Sequence, residues 1–110
     1  MGKAREIDIG TQKWGKVGDA RLFFRKMLNS YPTGARVSDD DAKHLLALLD
    51  RHDEKDEKIG VGVDHFIVDA APDGQATKCF WIVRTDGSRI DISYLHCLER
   101  KPYDRRQARG

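Results

Sequence analysis

Cys79-Phe80-Trp81-Ile82-Val83-Arg84-Thr85-Asp86-Gly87-Ser88-Arg89-Ile90-Asp91-Ile92 is the stretch on which the fold turns. Its first half is rich in aromatic and β-branched residues, which suit a pleated strand. Asp86-Gly87 supplies the positive-φ chemistry of a tight turn, and Arg89 to Ile92 resumes extended sequence. Side chains alternate along a strand, so Cys79, Trp81 and Val83 fall on one face and Phe80 and Ile82 on the other. Both faces are apolar, which predicts a central strand covered by helices on at least one side. Upstream, Val63 to Ala70 reads as a neighbouring strand. Pro72-Asp73-Gly74 provides the turn into a middle strand over Thr77 to Arg84. The simplest assembly is a three-stranded antiparallel meander, to which Glu6 to Ile9 offers an edge strand.

Two main helices precede these strands. From Lys16 to Asn29, Val17, Ala20, Phe24, Met27 and Leu28 recur at the three-and-four spacing of one helical face, leaving Lys16, Asp19, Arg25 and Lys26 toward water. Pro32 and Gly34 end that helix and make a tight link. At Ser38-Asp39-Asp40-Asp41 a second helix begins, with Ser38 as cap, Asp41 able to reach back, and three carboxylates at the positive end of the dipole. Its predicted apolar stripe is Ala42, Leu45, Leu46 and Leu49, and it closes near Asp50 to His52. His52 to Lys58 has no apolar member and reads as a solvated connection. Ser93 can cap a short C-terminal helix over Tyr94 to Arg100. The expected class is α+β, a three- or four-stranded antiparallel sheet packed with two main helices and a short C-terminal one.

A chain of 110 residues fits one domain. The predicted division is an N-terminal segment over 1–13, one α+β domain over 14–100, and a basic disordered tail over 101–110. With 39% apolar and 35% charged residues the chain keeps enough core formers to fold. The net charge of +2 hides an uneven distribution: residues 1–30 and 99–110 are basic, and 31–98 are acidic. An anion-binding surface therefore has to be built from the ends. No apolar run approaches the roughly 18 residues that span a membrane, so no membrane partner is expected. Met1-Gly2-Lys3-Ala4-Arg5 leads into polar sequence, from which a cytosolic protein is expected. Cys79 and Cys97 are then expected to remain thiols and to pack as small buried side chains.

Candidate chemistry is sparse. His52, His65 and His96 with Cys79 and Cys97 carry zinc-compatible atoms, but no Cys-x-x-Cys or His-x-x-x-His spacing assembles them, and no metal or other cofactor is expected. His52 reads instead as a charged ring at a helix C-terminus. His96 beside Cys97, near Asp91, is the one nucleophile-base assembly, and Cys97 between Leu95 and Leu98 reads as a buried thiol. The sharpest enzymatic reading is a metal-dependent nuclease using Asp64, His65 and Asp91, since paired carboxylates can hold magnesium against a phosphate. With His52 these form a possible functional polar cluster. Lys58-Ile59-Gly60-Val61-Gly62 resembles a phosphate loop only superficially, and two glycines before a strand more often mark a bend.

Several separated motifs carry a resemblance to a known family. They are Tyr31-Pro32-x-Gly34, Asp41 with the Leu45-Leu46-x-Leu48-Leu49 run, His52, Lys58-x-Gly60-x-Gly62, and Cys79-Phe80-x-x-x-Arg84-x-Asp86-Gly87-Ser88-x-x-Asp91-x-Ser93-Tyr94-x-x-Cys97. Over about Trp14 to Leu98 the chain resembles the DCL family, named after the plant defective-chloroplasts-and-leaves proteins. That resemblance implies an RNA-linked role, since plant members are implicated in plastid ribosomal RNA maturation and a related domain lies in the largest subunit of RNA polymerase V. It implies no catalytic residues.

The resulting expectation is a non-catalytic accessory module for RNA or an RNA-handling complex. Candidate contacts are Trp14, Lys16, Lys58, Gly60 and Gly62, together with Arg84, Arg89, Arg100 and Lys101. Exposed aromatics could stack on bases and basic side chains could hold phosphates. Trp14, in a basic stretch, is the better stacking candidate, and Trp81, between Phe80 and Ile82, is expected in the core. The rival is a protein-interaction domain marked by an exposed apolar patch or a free sheet edge.

Overall fold

The computed structural model describes residues 5–72 and 77–99. The Cys79–Ile92 stretch forms β4 (Lys78–Arg84) and β5 (Arg89–Ile92), and β3 (Val63–Ala70) lies on the other side of β4. All pairings are antiparallel, with Ile67 opposite Trp81 and Trp81 opposite Asp91. Between β4 and β5 the Arg84 amide donates to the Ser88 carbonyl, and Gly87 adopts φ +87°, a value that favours glycine. A bulge interrupts the β3 ladder between Val63 and His65.

The N-terminal strand forms but joins a different sheet. β1 (Ile7–Asp8) pairs with β2 (Lys13–Trp14) in a small hairpin of its own. Ile7 and Ile9 point into the core, which fixes the hairpin against the helices rather than at the edge of β3. That edge is occupied by the link after the first helix. The Gly34 and Val37 amides donate to the carbonyls of Val68 and Phe66, and the Val68 amide donates to Ala35. Arg36 thereby stands opposite Ile67.

The helix α1 (Val17–Asn29) buries Ala20, Phe24, Met27 and Leu28. The second, α2 (Asp39–Leu49), buries Leu45, Leu48 and Leu49. The expected stripe is corrected at one position: Leu46 is 49% exposed while Leu48 is fully buried. Residues 45, 48 and 49 share one side of a 3.6-residue helix, and position 46 is turned about 100° from position 45. At the start of α2, Ser38 Oγ accepts from the Asp41 amide as expected. Asp41 does not reach back to the Ser38 amide. The Tyr31 hydroxyl stands between them, accepting from that amide at 3.0 Å and donating to Asp41 Oδ2 at 2.6 Å.

Two further helices are short. Residues 52–58 are not all connection, because α3 (Lys55–Ile59) forms there. Its lack of an apolar face hid it from periodicity, and its carbonyls are held from β4 instead. After the Ser93 cap, α4 (Tyr94–Cys97) stops before the expected Arg100, which lies outside the described residues with Lys101 and the basic tail. Buried Arg51 donates to the Cys97 and Glu99 carbonyls, and Arg5 donates to Leu98. Such partners are what a buried guanidinium requires.

The core lies between the helices and one face of the sheet, where Phe66, Val68, Phe80, Ile82 and Ile92 meet Phe24, Leu45 and Leu48. No described element covers the opposite face, so Trp81 is half-buried there rather than in the core. Cys79 is half-buried on the same face, which corrects its expected burial, whereas Cys97 is fully buried.

Candidate nucleic-acid interface

The family motifs around Lys58 and Arg84 meet in one structural knot. Arg84 Nε donates to the Lys58 carbonyl at 3.0 Å, Nη2 to the Glu57 carbonyl at 2.9 Å, and Nη1 to Ser88 Oγ at 3.2 Å. One guanidinium thus ties the end of α3 to the β4–β5 hairpin, its planar donors serving three acceptors. Gly60 turns the chain over it at φ +55° and ψ −122°, and a Cβ there would stand 2.8 Å from Arg84 Nε. Gly62, at φ +127°, accepts the Thr85 amide. The Gly60 and Gly62 amides donate to the Asp56 and Ile59 carbonyls, and Lys58 Nζ donates to the Asp91 carbonyl. Donors that would cradle an anion are therefore committed within the fold. In the hairpin turn, Asp86 Oδ1 accepts from the Ser88 hydroxyl and amide, and these bonds hold its carboxyl below the usual carboxylate range.

His52, Asp64, His65 and Asp91 are not gathered into a cleft. His65 Nδ1 lies 2.6 Å from Asp64 Oδ2 on β3. Asp91 is on β5, two strands away. His52 is buried beyond the end of α2, where Nδ1 accepts the Glu54 amide at 2.9 Å and the ring packs 4.7 Å from His96. The ring packing expected for His52 is met by His96, while the charged form expected there is not the one that makes this bond, because an imidazole accepting at Nδ1 is neutral with its proton on Nε2. His96 in turn lies 3.4 Å from Asp53 and 3.6 Å from Glu99. Among the described residues no group of three or more His, Cys, Asp or Glu side chains could hold a metal ion.

Trp14 has a packing role. Its ring lies 5.2 Å from Phe23 and 5.9 Å from Phe24, and Phe23 meets His44 edge-on at 5.3 Å. This cluster, half-buried at Trp14, Phe23 and His44 and fully buried at Phe24, holds β2 against α1. The other tryptophan lies on the uncovered sheet face. The Arg89 guanidinium sits 4.5 Å over the Trp81 ring and its Nη2 bonds Asp69 at 2.8 Å. That bond, helped by the Ala70 amide, lowers the Asp69 pKa.

Several cations are exposed on and just before α1. Arg21, Arg25 and Lys26 are exposed on the helix and Lys16 is exposed at its N-cap, and no described carboxylate pairs with any of them. Asp19 is the acid of that helix. Lys16, Arg25 and Lys26 meet the expectation that they face water, and Arg21, four residues before Arg25 and so on the same side, joins them. By contrast α2 and α3 carry Asp39, Asp40, Asp41, Asp56 and Glu57 in their first turns.

The sequence profile of a family described as a protein of unknown function, DUF3223, matches residues 25–98. The chain is 42% identical over 80 residues to "Protein DCL, chloroplastic" of Solanum lycopersicum, covering 70% of this chain and 36% of that protein. It is 40% identical over 77 residues to "DNA-directed RNA polymerase V subunit 1" of Arabidopsis thaliana, covering 67% of this chain and 4% of that subunit. The solution NMR structure of an uncharacterised protein from Rhodospirillum rubrum matches with a TM-score of 0.77 at 43% identity, covering 88% of this chain and 91% of that one. The chain thus spans about a third of the tomato relative. The cytosolic expectation is corrected by the tomato protein, which is named chloroplastic. A transit peptide is removed from the mature protein, so the polarity of residues near a folded domain does not report the compartment. Motifs spread from Tyr31 to Cys97, a matching profile and a matching fold together establish that this chain belongs to the DCL family, the DUF3223 domain.

Proposed function

We propose that this domain is a non-catalytic accessory module that serves RNA or an RNA-handling complex, and that the outer side of α1 is its contact with the phosphate backbone. The observation that carries the reading is the group Lys16, Arg21, Arg25 and Lys26, exposed and without a described acidic partner. Unpaired cations on a rigid helix attract a polyanion without sequence preference, and binding releases the counterions condensed on it. The relative named as an RNA polymerase subunit supports an RNA-handling setting. Ribosomal RNA is the first ligand to try, because the family resemblance implies it.

The test is a titration of the domain against a labelled structured ribosomal RNA fragment and a matched DNA duplex at two salt concentrations. Affinity for RNA falls with salt, and the double reversal Arg21→Glu with Arg25→Glu weakens binding to every RNA while flattening the log-log salt slope by roughly 2. An unchanged slope would remove α1 from the interface. No binding at low salt would remove the RNA reading.

A second reading, a protein-interaction domain, is favoured by one feature. A groove of about 260 Å³ between α2 and β3 has Ala42, Leu46, Val63 and Phe66 among its lining residues. Failure of RNA binding would make this groove the place to map a partner.

A further inference from the structure

The uncovered face of the sheet carries chemistry that the α1 surface lacks. Across it run Arg36, Ile67, Trp81 and Asp91 in register, with Val83 and Cys79 flanking Trp81 along β4. The helices pack on the other side, where Tyr94 meets both Phe24 and Phe80. Trp81 Nε1 donates to the Ala70 carbonyl at 3.1 Å, which fixes the indole in one orientation. Over its ring lies a planar group already, the Arg89 guanidinium, held by Asp69. The Arg89 side chain is 44% exposed, and an ion pair that open to water holds weakly. Arg36 is exposed at the far end of the same row and pairs with no described carboxylate.

We propose that this sheet face binds single-stranded RNA, one base stacking on Trp81 in the place of the Arg89 guanidinium while Arg89 and Arg36 take the flanking phosphates. The inference rests on the RNA reading above and names the class of RNA. Every base has a π-face that an aromatic ring can hold, but only an unpaired base can be splayed onto a sheet. Arg89 exchanges Asp69 for a phosphate, trading one charge-assisted bond for another, so little is lost when the ring is uncovered. Among the described residues Asp69 and Asp91 are acids on this face, and although Asp69 keeps the Ala70 amide when Arg89 leaves, the two carboxylates repel phosphate and disfavour purely electrostatic attachment. Stacking then decides which nucleic acid is held. Because α1 and the open face lie on opposite sides of the sheet layer, their contributions separate by mutation.

The test uses the Trp14→Phe protein, in which Trp81 is the sole tryptophan. Titration with oligouridylate or oligoadenylate quenches its fluorescence saturably, and an RNA duplex does not. In the otherwise unaltered protein, Trp81→Leu weakens single-strand binding by about 5- to 100-fold and leaves duplex binding unchanged. Amide chemical-shift mapping on the unaltered protein reports the same contact without depending on either variant, with shifts centred on β4 and β5. Single strands that bind by anisotropy but neither quench Trp81 nor shift those amides would overturn the sheet-face inference and leave the RNA reading standing. Absence of all RNA binding would overturn both.

Discussion

Gly60 joins α3 to β3 with backbone angles, φ +55° and ψ −122°, that a side-chain-bearing residue reaches only under strain. A Cβ at that position would also meet Arg84 at 2.8 Å. The two effects differ in kind. Arg84 can swing aside by giving up its bonds to Glu57 and Lys58, but the backbone strain has no such escape. Gly60→Ala is therefore expected to destabilise the domain by about 1–3 kcal/mol, measured by urea denaturation. In an Arg84→Ala background the same substitution costs less but still costs, because contact is relieved and strain persists. Equal costs in both backgrounds would show that the guanidinium does not sit against this turn. The family motif pairing these glycines with Arg84 has its physical explanation here, in helix-end capping by a side chain from a strand.

Among the elements, α2 shows how a legible signal can have an unforeseen partner. The Ser38 cap and the acidic first turn are readable from sequence because capping is local. The role of Tyr31 is not, since it depends on α1 ending so that its hydroxyl arrives at Ser38 and Asp41 together. Ser38→Ala is expected to cost about 1 kcal/mol. Tyr31→Phe is expected to cost about 0.5–1.5 kcal/mol, because it leaves the Ser38 amide and the Asp41 carboxylate without their shared partner. Denaturant unfolding of both single variants and the double checks the coupling. A double variant equal to the sum of the singles would mean that hydroxyl, cap and carboxylate do not act as one unit. In α3 the opposite situation holds: five residues with no buried side chain form a helix that Arg84 anchors. No pattern within 52–58 announces it.

For the whole molecule, the decisive fact is that the sheet has one covered and one uncovered face. Two thiols report it directly, since Cys97 has no exposed surface and Cys79 lies half-buried on the open side. With a thiol reagent such as DTNB, one equivalent is expected to react in the native protein and the second only on unfolding. Two equivalents reacting at the same rapid rate would contradict this layering. The amino-acid sequence by itself determined the strand order from Val63 to Ile92, the α1 stripe of Ala20, Phe24, Met27 and Leu28, and the Ser38 cap. Each follows from alternation, helical spacing or turn chemistry within a few residues. The motifs also carried the family resemblance. Only the tertiary structure decided that Trp81 faces outward, that Leu46 is exposed while Leu48 is buried, that Lys58 and Arg84 are spent within the fold, and that Arg21 joins a basic side of α1. An apolar strand reads the same whether one or both of its faces are covered, and a cation reads the same whether it is paired or free. Those differences arise only when residues distant in the chain are brought together.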